Sequence, residues 1–438
     1  MASHASDFAF LVATARRGIE DLQRALRRVP LSEGERGSQF VIAAEALLLA
    51  ISDGVDKRES EFAEGGDDTD KESLVRAVRQ ITHDIRNVHF TTPWIDAAQN
   101  SRLPAGLIYF VDEMAAALVK ASPDVIAVPT PKYMYETHYK PFTPELEALQ
   151  HEYPDVFPVI IHYPAQENDS LLLHLLIAHE LGHSAVRRHD LIATVASRAS
   201  DSAQIERSLG EVVKVVIALE STNSSDATLA VGDCFVKWLT EALCDGLALA
   251  FLGPSFLFSA AAFLTPLSGP RPSPTHPPNN IRTELLLRYI DQWGWRPLLE
   301  DEAPEILRWL EETAAEAMDT AGKTYYETIG QLVLDLAPAV ESTVAEHLGN
   351  KLFLPETYAE QAEEIAALLD SAILPAQHLD GAPTDRRSVI LGGWLHALRE
   401  KGATPDKLPE VFGEREFEAF LAKALEMSAV LQRWREVA

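Results

Sequence analysis

Apolar positions recur at helical spacing over most of the chain, and that recurrence predicts a mostly α protein with a small β-sheet. Between Phe8 and Val29, Ile19, Leu22 and Leu26 share one helical face, and Phe40 to Ile51 is dense enough in apolar residues to read as a buried helix. Ser52 to Glu72 is acidic and contains Gly65-Gly66-Asp67-Asp68, the composition of a solvated loop. A further helix is expected near Leu74 to Val88. From Asp124 the period shortens: Asp124 to Pro129 and Val156 to Tyr163 are β-branched runs bounded by prolines and predict strands. Pro158 cannot donate to a ladder, so its strand needs a free side or a bulge there. Such a strand either lies at a sheet edge, where an extended peptide could add as one more strand, or is an ordinary strand of the sheet.

The helical pattern returns in Asp169-Ser-Leu-Leu-Leu-His174-Leu-Leu-Ile-Ala-His179-Glu180-Leu-Gly-His183, with Asp169 placed to cap it and Arg187, Arg188 and His189 to close it. Helices are expected over Ala203 to Leu219 and from about Asp233 to Phe251, separated by the linker Ser221 to Asp226. The apolar run Leu247 to Leu267 has the length of a membrane span, but Gly253-Pro254 interrupts it and its helix also carries Glu241 and Asp245. Two buried helices are expected instead. Beyond the Pro-rich turn Ser268 to Pro278 the chain reads as helices near Ile281 to Trp293, Pro304 to Ala321, Tyr325 to Leu348, Thr357 to Leu374, Arg387 to Arg399 and Glu414 to Trp434. The pattern divides the chain into a helical N-terminal region (1–120), an α+β core (121–295) and a helical C-terminal region (296–438).

Charge narrows the partners. Lys and Arg number 38 against 66 Asp and Glu, a formal net charge of −28, whereas a sequence-independent grip on nucleic acid or anionic lipid needs basic surface. Neither a nucleic-acid partner nor stable membrane insertion is expected. Cys234 and Cys244 give no disulfide framework and read as buried small hydrophobes. The N-terminal Met-Ala-Ser-His-Ala-Ser-Asp lacks the positive stretch that precedes a signal-peptide core, so the expected location is cytoplasmic.

The run His179-Glu180-Leu-Gly-His183 turns the picture from scaffold to chemistry. At 3.6 residues per turn, side chains four apart lie on one helical face, so His179 and His183 can present their imidazoles to one ion, while Glu180 is offset enough to reach a water. A zinc enzyme uses three protein ligands. Glu241, 58 residues after His183, is the candidate third, on a helix whose Phe235, Leu239 and Leu243 predict burial. Asp245, four residues further, can accept a hydrogen bond from the far ring nitrogen of a ligating histidine. His174 falls roughly 140° round the helix from His179 and faces elsewhere. His83 and His89 have no partner at ligand spacing.

His-Glu-x-x-His followed downstream by Glu-x-x-x-Asp resembles the gluzincin metallopeptidases. A third element, Thr275-His276-Pro277-Pro278-Asn-Asn-Ile-Arg282, is similar to the H-P-P-x-x-x-R element of the family containing the CAAX prenyl endopeptidases and heat-shock-induced membrane zinc peptidases, and all three occur in the family's order. The resemblance covers about residues 169–290. It implies a zincin-like catalytic core, Zn2+ bound by His179, His183 and Glu241, Glu180 as general base, and His276 and Arg282 near the cleft. Candidate donors to a developing oxyanion are His276, Arg282 and the tyrosines Tyr133, Tyr135 and Tyr139. The function expected is hydrolysis of a protein or peptide substrate by a zinc-activated water, with helical flanks large enough to roof the cleft. Members of that family are membrane-embedded, so their substrates are not carried over. Two other readings stay open: a catalytically silent zincin-fold interaction protein, which would not need Glu180, and a zinc hydrolase of a non-peptide amide.

Overall fold

A computed structural model of the chain describes residues 2–27, 38–64, 70–83, 85, 103–120, 124–130, 134–138, 158–165, 170–199, 202–220, 223–264, 272–318, 325–377, 382–402, 404 and 415–437. Contacts group the chain into two units, Met1–Arg102 with Ala121–Ala165, and Leu103–Lys120 with Gln166–Ala438. Among the described residues the protein is mostly α with one small mixed sheet, as the periodicity predicts.

In the first unit α1 (Ala2–Leu26) packs on α2 (Ser38–Glu64). Phe8, Val12, Ile19 and Leu22 recur at helical spacing on α1 and are buried in one cluster with Leu48 and Val55 of α2 and with Val75 and Val78 of α3 (residues 70–83). The loop expected from Ser52 is therefore a helix as far as Glu64. Val55 and Phe62, seven residues apart, still supply the core, and the Phe8 and Phe62 rings stack with centroids 4.0 Å apart. The acidic residues between them are tied to bases: Arg16 reaches Asp56 at 2.7 Å and Glu59 at 2.5 Å, and Arg58 reaches Glu61 at 2.7 Å. Exposed pairs of this kind contribute little, so the apolar contacts hold the helix. Gly65 to Asp68 lie outside the described residues.

The sheet belongs to the same unit. Its strands β1 (Asp124–Thr130), β2 (Glu136–His138) and β3 (Pro158–Pro164) lie in the order β1-β3-β2. β1 runs parallel to β3 with Asp124 opposite Pro158, and β2 antiparallel with His138 opposite Ile160. The strand considered for a sheet edge is thus central, flanked by β1 and β2, and not open for strand addition. Pro158 keeps its free side because β2 ends opposite Ile160. Val159, Ile160, Ile161 and Tyr163 are all buried, the continuous apolar run of a strand covered on both faces.

The second unit opens with α4 (Ala105–Leu118) and resumes at the His179 segment. The helix expected from Asp169 begins later: Leu173–Leu176 form a 3-10 turn that leads into α5 (Ile177–Arg188). The Leu172 carbonyl accepts from the Ser259 hydroxyl at 2.7 Å, and the Leu172 N–H points at Glu418, so this backbone is satisfied from the side rather than along a helix. Asp169 lies outside the described residues. After α6 (Leu191–Arg198) and α7 (Ser202–Glu220), α8 (Ser224–Leu252) starts well before the expected Asp233. Asn223 caps it, its Oδ1 accepting the Asp226 N–H at 2.9 Å, so the described end of the polar run that reads as a linker, from Asn223 to Asp226, is the cap and first turn of the helix.

From Trp238 onward α8 is almost wholly buried. Gly253 ends it at φ +59, where a Cβ would meet the Phe353 ring at 2.7 Å, and α9 (Pro254–Leu264) begins at once. As far as Leu264 the apolar run is therefore two helices, and among the described residues no helix is long and apolar enough to cross a membrane. The remaining helices are α10 (Asn279–Gln292), α11 (Arg296–Glu302), α12 (Pro304–Ala314), α13 (Tyr325–Asp335), α14 (Ala337–Leu348), α15 (Pro355–Asp370), α16 (Arg386–Lys401) and α17 (Arg415–Val437). The single helix expected over Tyr325 to Leu348 is broken at Leu336, because Pro338 in the first turn of α14 has no N–H to continue the preceding ladder.

At the end of α4 two histidines take up carbonyls that the helix leaves without donors: His189 Nε2 lies 2.8 Å from the Val119 oxygen and His347 Nε2 2.6 Å from that of Leu118. Burial lowers the His347 pKa; the Leu118 carbonyl opposes this, while Lys120 and His189 add to it. The folded protein thus binds this proton less readily than the unfolded chain, so the contribution of His347 is present above its ordinary value of 6.5 and is lost as pH falls below it. Thermal melts taken across that value should show stability dropping on the acid side, and His347→Gln should make the drop shallower.

Candidate metal centre

Helices α5 and α8 touch at a residue without a side chain. A Cβ on Gly182 would lie 3.0 Å from Cys244 Cα and 3.3 Å from its sulfur, so any side chain there would press the two helices slightly apart. The approach brings the two histidines of α5 to the carboxylate of α8. His179 Nε2 lies 3.3 Å from Glu241 Oε2 and His183 Nε2 3.5 Å from Glu241 Oε1. The two rings stand nearly perpendicular, at 84° with centroids 5.0 Å apart. His179, Glu180 and Glu241 are buried, and His183 is partly so.

One turn beyond Glu241, Asp245 joins three helices. Its Oδ1 is 2.8 Å from His179 Nδ1, and Arg282 of α10 donates to it twice, from Nη2 to Oδ1 at 2.7 Å and from Nε to Oδ2 at 2.9 Å. With Nδ1–H given to Asp245, His179 leaves Nε2 facing Glu241. Burial disfavours every charge here, and the neighbours overcome it. Glu241 is held down to about 2 by His179 and His183 against its desolvation. His179 is raised to about 10 despite burial, by Asp245 and then Glu241. Asp245 stays well below the usual carboxylate range because of Arg282 and His179. His183, with less compensation, is lowered by burial.

His276 stands on the turn that precedes α10, 62% exposed, with Nε2 3.8 Å from Glu241 Oε1. The turn is braced from α8. The Trp238 indole N–H, one turn before Glu241, donates to the Ser273 carbonyl at 2.9 Å. The Ser273 hydroxyl accepts the His276 N–H at 2.8 Å, and the Ser273 N–H donates to the His276 carbonyl at 3.2 Å. Tyr326 of α13 stacks on Trp238 with ring centroids 5.6 Å apart.

The structure therefore brings His179, His183, Glu241, Asp245, Arg282 and His276 together, with Glu180 buried beside His179 on α5. It gives Arg282 to Asp245 rather than to open space. Of the tyrosines considered as donors, Tyr135 belongs to the first unit, and Tyr133 and Tyr139 lie outside the described residues. One nearby donor had no signal in its spacing. Cys244 is buried, as expected, yet His179, His183 and Cys244 each place one ligand atom within 4.8 Å of the others, and this group could hold a metal ion. Burial, Glu241, Asp245 and Glu180 push its thiol far above the ordinary value. Its position three residues after Glu241 becomes telling only once the Gly182 contact is known.

A second test of fit comes from Glu241. Its Oε2 is buried and, although 3.3 Å from His179 Nε2, makes no well-formed hydrogen bond. A buried carboxylate oxygen left in this state is what a cation would satisfy. No family model, curated protein or solved structure matches the chain.

Breaking the Arg282–Asp245 pair from one side leaves the other charge buried. Arg282→Met should therefore lower the unfolding free energy by about 3–5 kcal/mol in urea titrations, and Arg282→Met with Asp245→Leu by less than the two single changes added together. Gly182→Ala, forced against the backbone of Cys244, should cost about 1–3 kcal/mol in the same measurement.

Proposed function

We propose that the chain is a zinc-dependent metallopeptidase of gluzincin type, acting on protein or peptide substrates in the cytoplasm. The convergence of His179 Nε2, His183 Nε2 and the Glu241 carboxylate carries this reading. Zinc bonds of about 2.0–2.1 Å in a tetrahedron set neighbouring donors about 3.3 Å apart; His179 Nε2 lies 3.3 Å from one Glu241 oxygen and His183 Nε2 3.5 Å from the other, separations of that scale with the carboxylate facing both rings. Between Glu241 and Cys244 as third ligand, Glu241 is favoured. Its oxygens face Nε2 of His179 and Nε2 of His183, whereas the sulfur packs at the Gly182 contact.

A zinc ion held there supplies the Lewis acidity that activates water and polarises a carbonyl. The chain's own residues do the rest. Glu180, next to His179 and on the same helix, takes the proton from water as a peptide carbonyl is attacked. Asp245 fixes the His179 ring, and Arg282 fixes Asp245. The presence of Glu180 supports an enzyme over a silent scaffold, because binding an ion requires only the other three residues.

The test compares wild type with Glu180→Gln and His183→Ala for zinc content by elemental analysis and for cleavage of a proteome-derived peptide library. One zinc is expected in wild type and Glu180→Gln, with cleavage reduced about 10²–10⁴-fold in the variant, and zinc is expected to be lost from His183→Ala. Zinc bound without cleavage by wild type would leave a scaffold. Protein that takes up no zinc even when it is added would sink the reading altogether.

A further inference from the structure

We infer that a cavity of about 520 Å³ in the second unit, between α4, the end of α8, the 3-10 turn Gly349–Lys351 and the start of α16, is a binding site for a small organic phosphate monoester. None of the candidate metal ligands lines it, and it does not depend on the metallopeptidase reading.

The walls carry three bases, Lys351, Arg386 and Arg387, and two acids, Glu113 and Asp385. The near balance of charge hides an excess of donors. Arg387 and Asp385 consume one another: the guanidinium donates from Nε to Oδ1 at 3.1 Å and from Nη2 to Oδ2 at 2.8 Å, and Oδ1 also accepts the Arg387 backbone N–H at 2.8 Å. Arg387 gives its other donors to the Tyr358 hydroxyl at 2.9 Å and the Lys351 carbonyl at 2.8 Å, and its Cζ lies between 4.8 and 5.2 Å from the ring centres of Phe251, Phe353 and Tyr358. It is a fixed wall of the cavity.

Arg386 is only half engaged. It is 9% exposed, and its Nε donates to Glu113 Oε2 at 2.5 Å, but among the described residues its two terminal nitrogens have no partner. Thr384 is 4% exposed. Its N–H reaches the Ala376 carbonyl and its own carbonyl accepts from Ser428, yet its hydroxyl has no partner among the described residues. Buried polar groups left in this state, on residues that line a cavity, call for a partner from outside the chain. The ammonium of Lys351 and the amide of Asn350, both exposed on the 3-10 turn, add donors at the same cavity, and the Tyr358 hydroxyl, having accepted from Arg387, keeps its own hydrogen to give.

This set selects an anion. Both acids are already held by the two arginines, whereas a guanidinium end, an ammonium, two hydroxyls and an amide remain to donate, in a chain whose net charge of −28 otherwise repels anions. A carboxylate brings one charge and two oxygens. A phosphate monoester brings nearly two charges and three terminal oxygens, which the larger donor set suits better, and the free fork of Arg386 matches two of those oxygens. The start of α16 adds the positive end of its dipole. The volume falls within the range of about 300–1,000 Å³ usual for small-molecule sites and exceeds what the phosphate group alone requires. Ala117, Phe251 and Pro383 supply apolar wall for the organic part.

Calorimetric titration of the full chain with phenyl phosphate, inorganic phosphate and benzoate tests the inference. Affinity should fall in that order, and phenyl phosphate should raise Tm. Lys351→Ala has no ion pair to lose and Thr384→Val removes an unpartnered hydroxyl, so both should fold as wild type does and each should weaken phenyl phosphate at least about threefold; Arg386→Gln should weaken it at least about tenfold. Because Arg386→Gln also breaks the pair with Glu113, the other two variants decide the outcome if it proves unstable. No binding of phenyl phosphate by wild type overturns the inference, as does binding that Lys351→Ala and Thr384→Val both leave unchanged. Benzoate or inorganic phosphate bound as tightly as phenyl phosphate also overturns it, giving the cavity to a carboxylate or to the free ion.

Discussion

The second unit is organised round a negative charge that has no access to water. Asp245 is 1% exposed, a position that would cost several kcal/mol for an isolated carboxylate, and it is tolerable only because Arg282 grips it with two donors and His179 supplies a third. That requirement fixes more than one side chain. It ties α5, α8 and α10 to a common point, takes Nδ1 of His179, and so turns Nε2 towards Glu241. The candidate metal position is in this sense a by-product of satisfying Asp245: once the aspartate has its partners, the remaining ring nitrogens and the Glu241 carboxylate have little choice of direction.

The helices that meet there are also held close by an absence. Gly182 lets α5 lie against the backbone of α8 at Cys244, and the distances from Glu241 to the two histidines follow from that separation. A bulkier residue would move the whole face of α5, not a single ligand. The second support is Trp238, whose buried ring stacks on Tyr326 while its N–H reaches out to the His276 turn. Core packing and site geometry are therefore carried by the same stretch of α8.

How much of this was legible in the sequence depends on whether the determinant is local. The shared face of His179 and His183 and that of Glu241 and Asp245 follow from spacing of four on a helix, and the Gly253-Pro254 break follows from the chemistry of those two residues. The helix over Ser52 to Glu64 was obscured because acidic composition outweighed two apolar residues, Val55 and Phe62, whose importance is visible only beside Phe8. The start of α8 was obscured by Asn223, which reads equally as linker and as cap. The central place of β3, and the nearness of Cys244 to the histidines, depend on contacts between segments distant in sequence, and no local pattern encodes them.

The partners of Asp245 arrive at different times. His179 precedes it by 66 residues and Arg282 follows it by 37, so a chain growing from its N-terminus holds the aspartate and its histidine well before the guanidinium exists. Until then burying the anion costs more than it returns, because the stronger of its partners is missing. Burial of Asp245 is therefore disfavoured until Arg282 is present to pair with it. A cut between α9 and α10 would likewise separate a buried acid from the base that keeps it there.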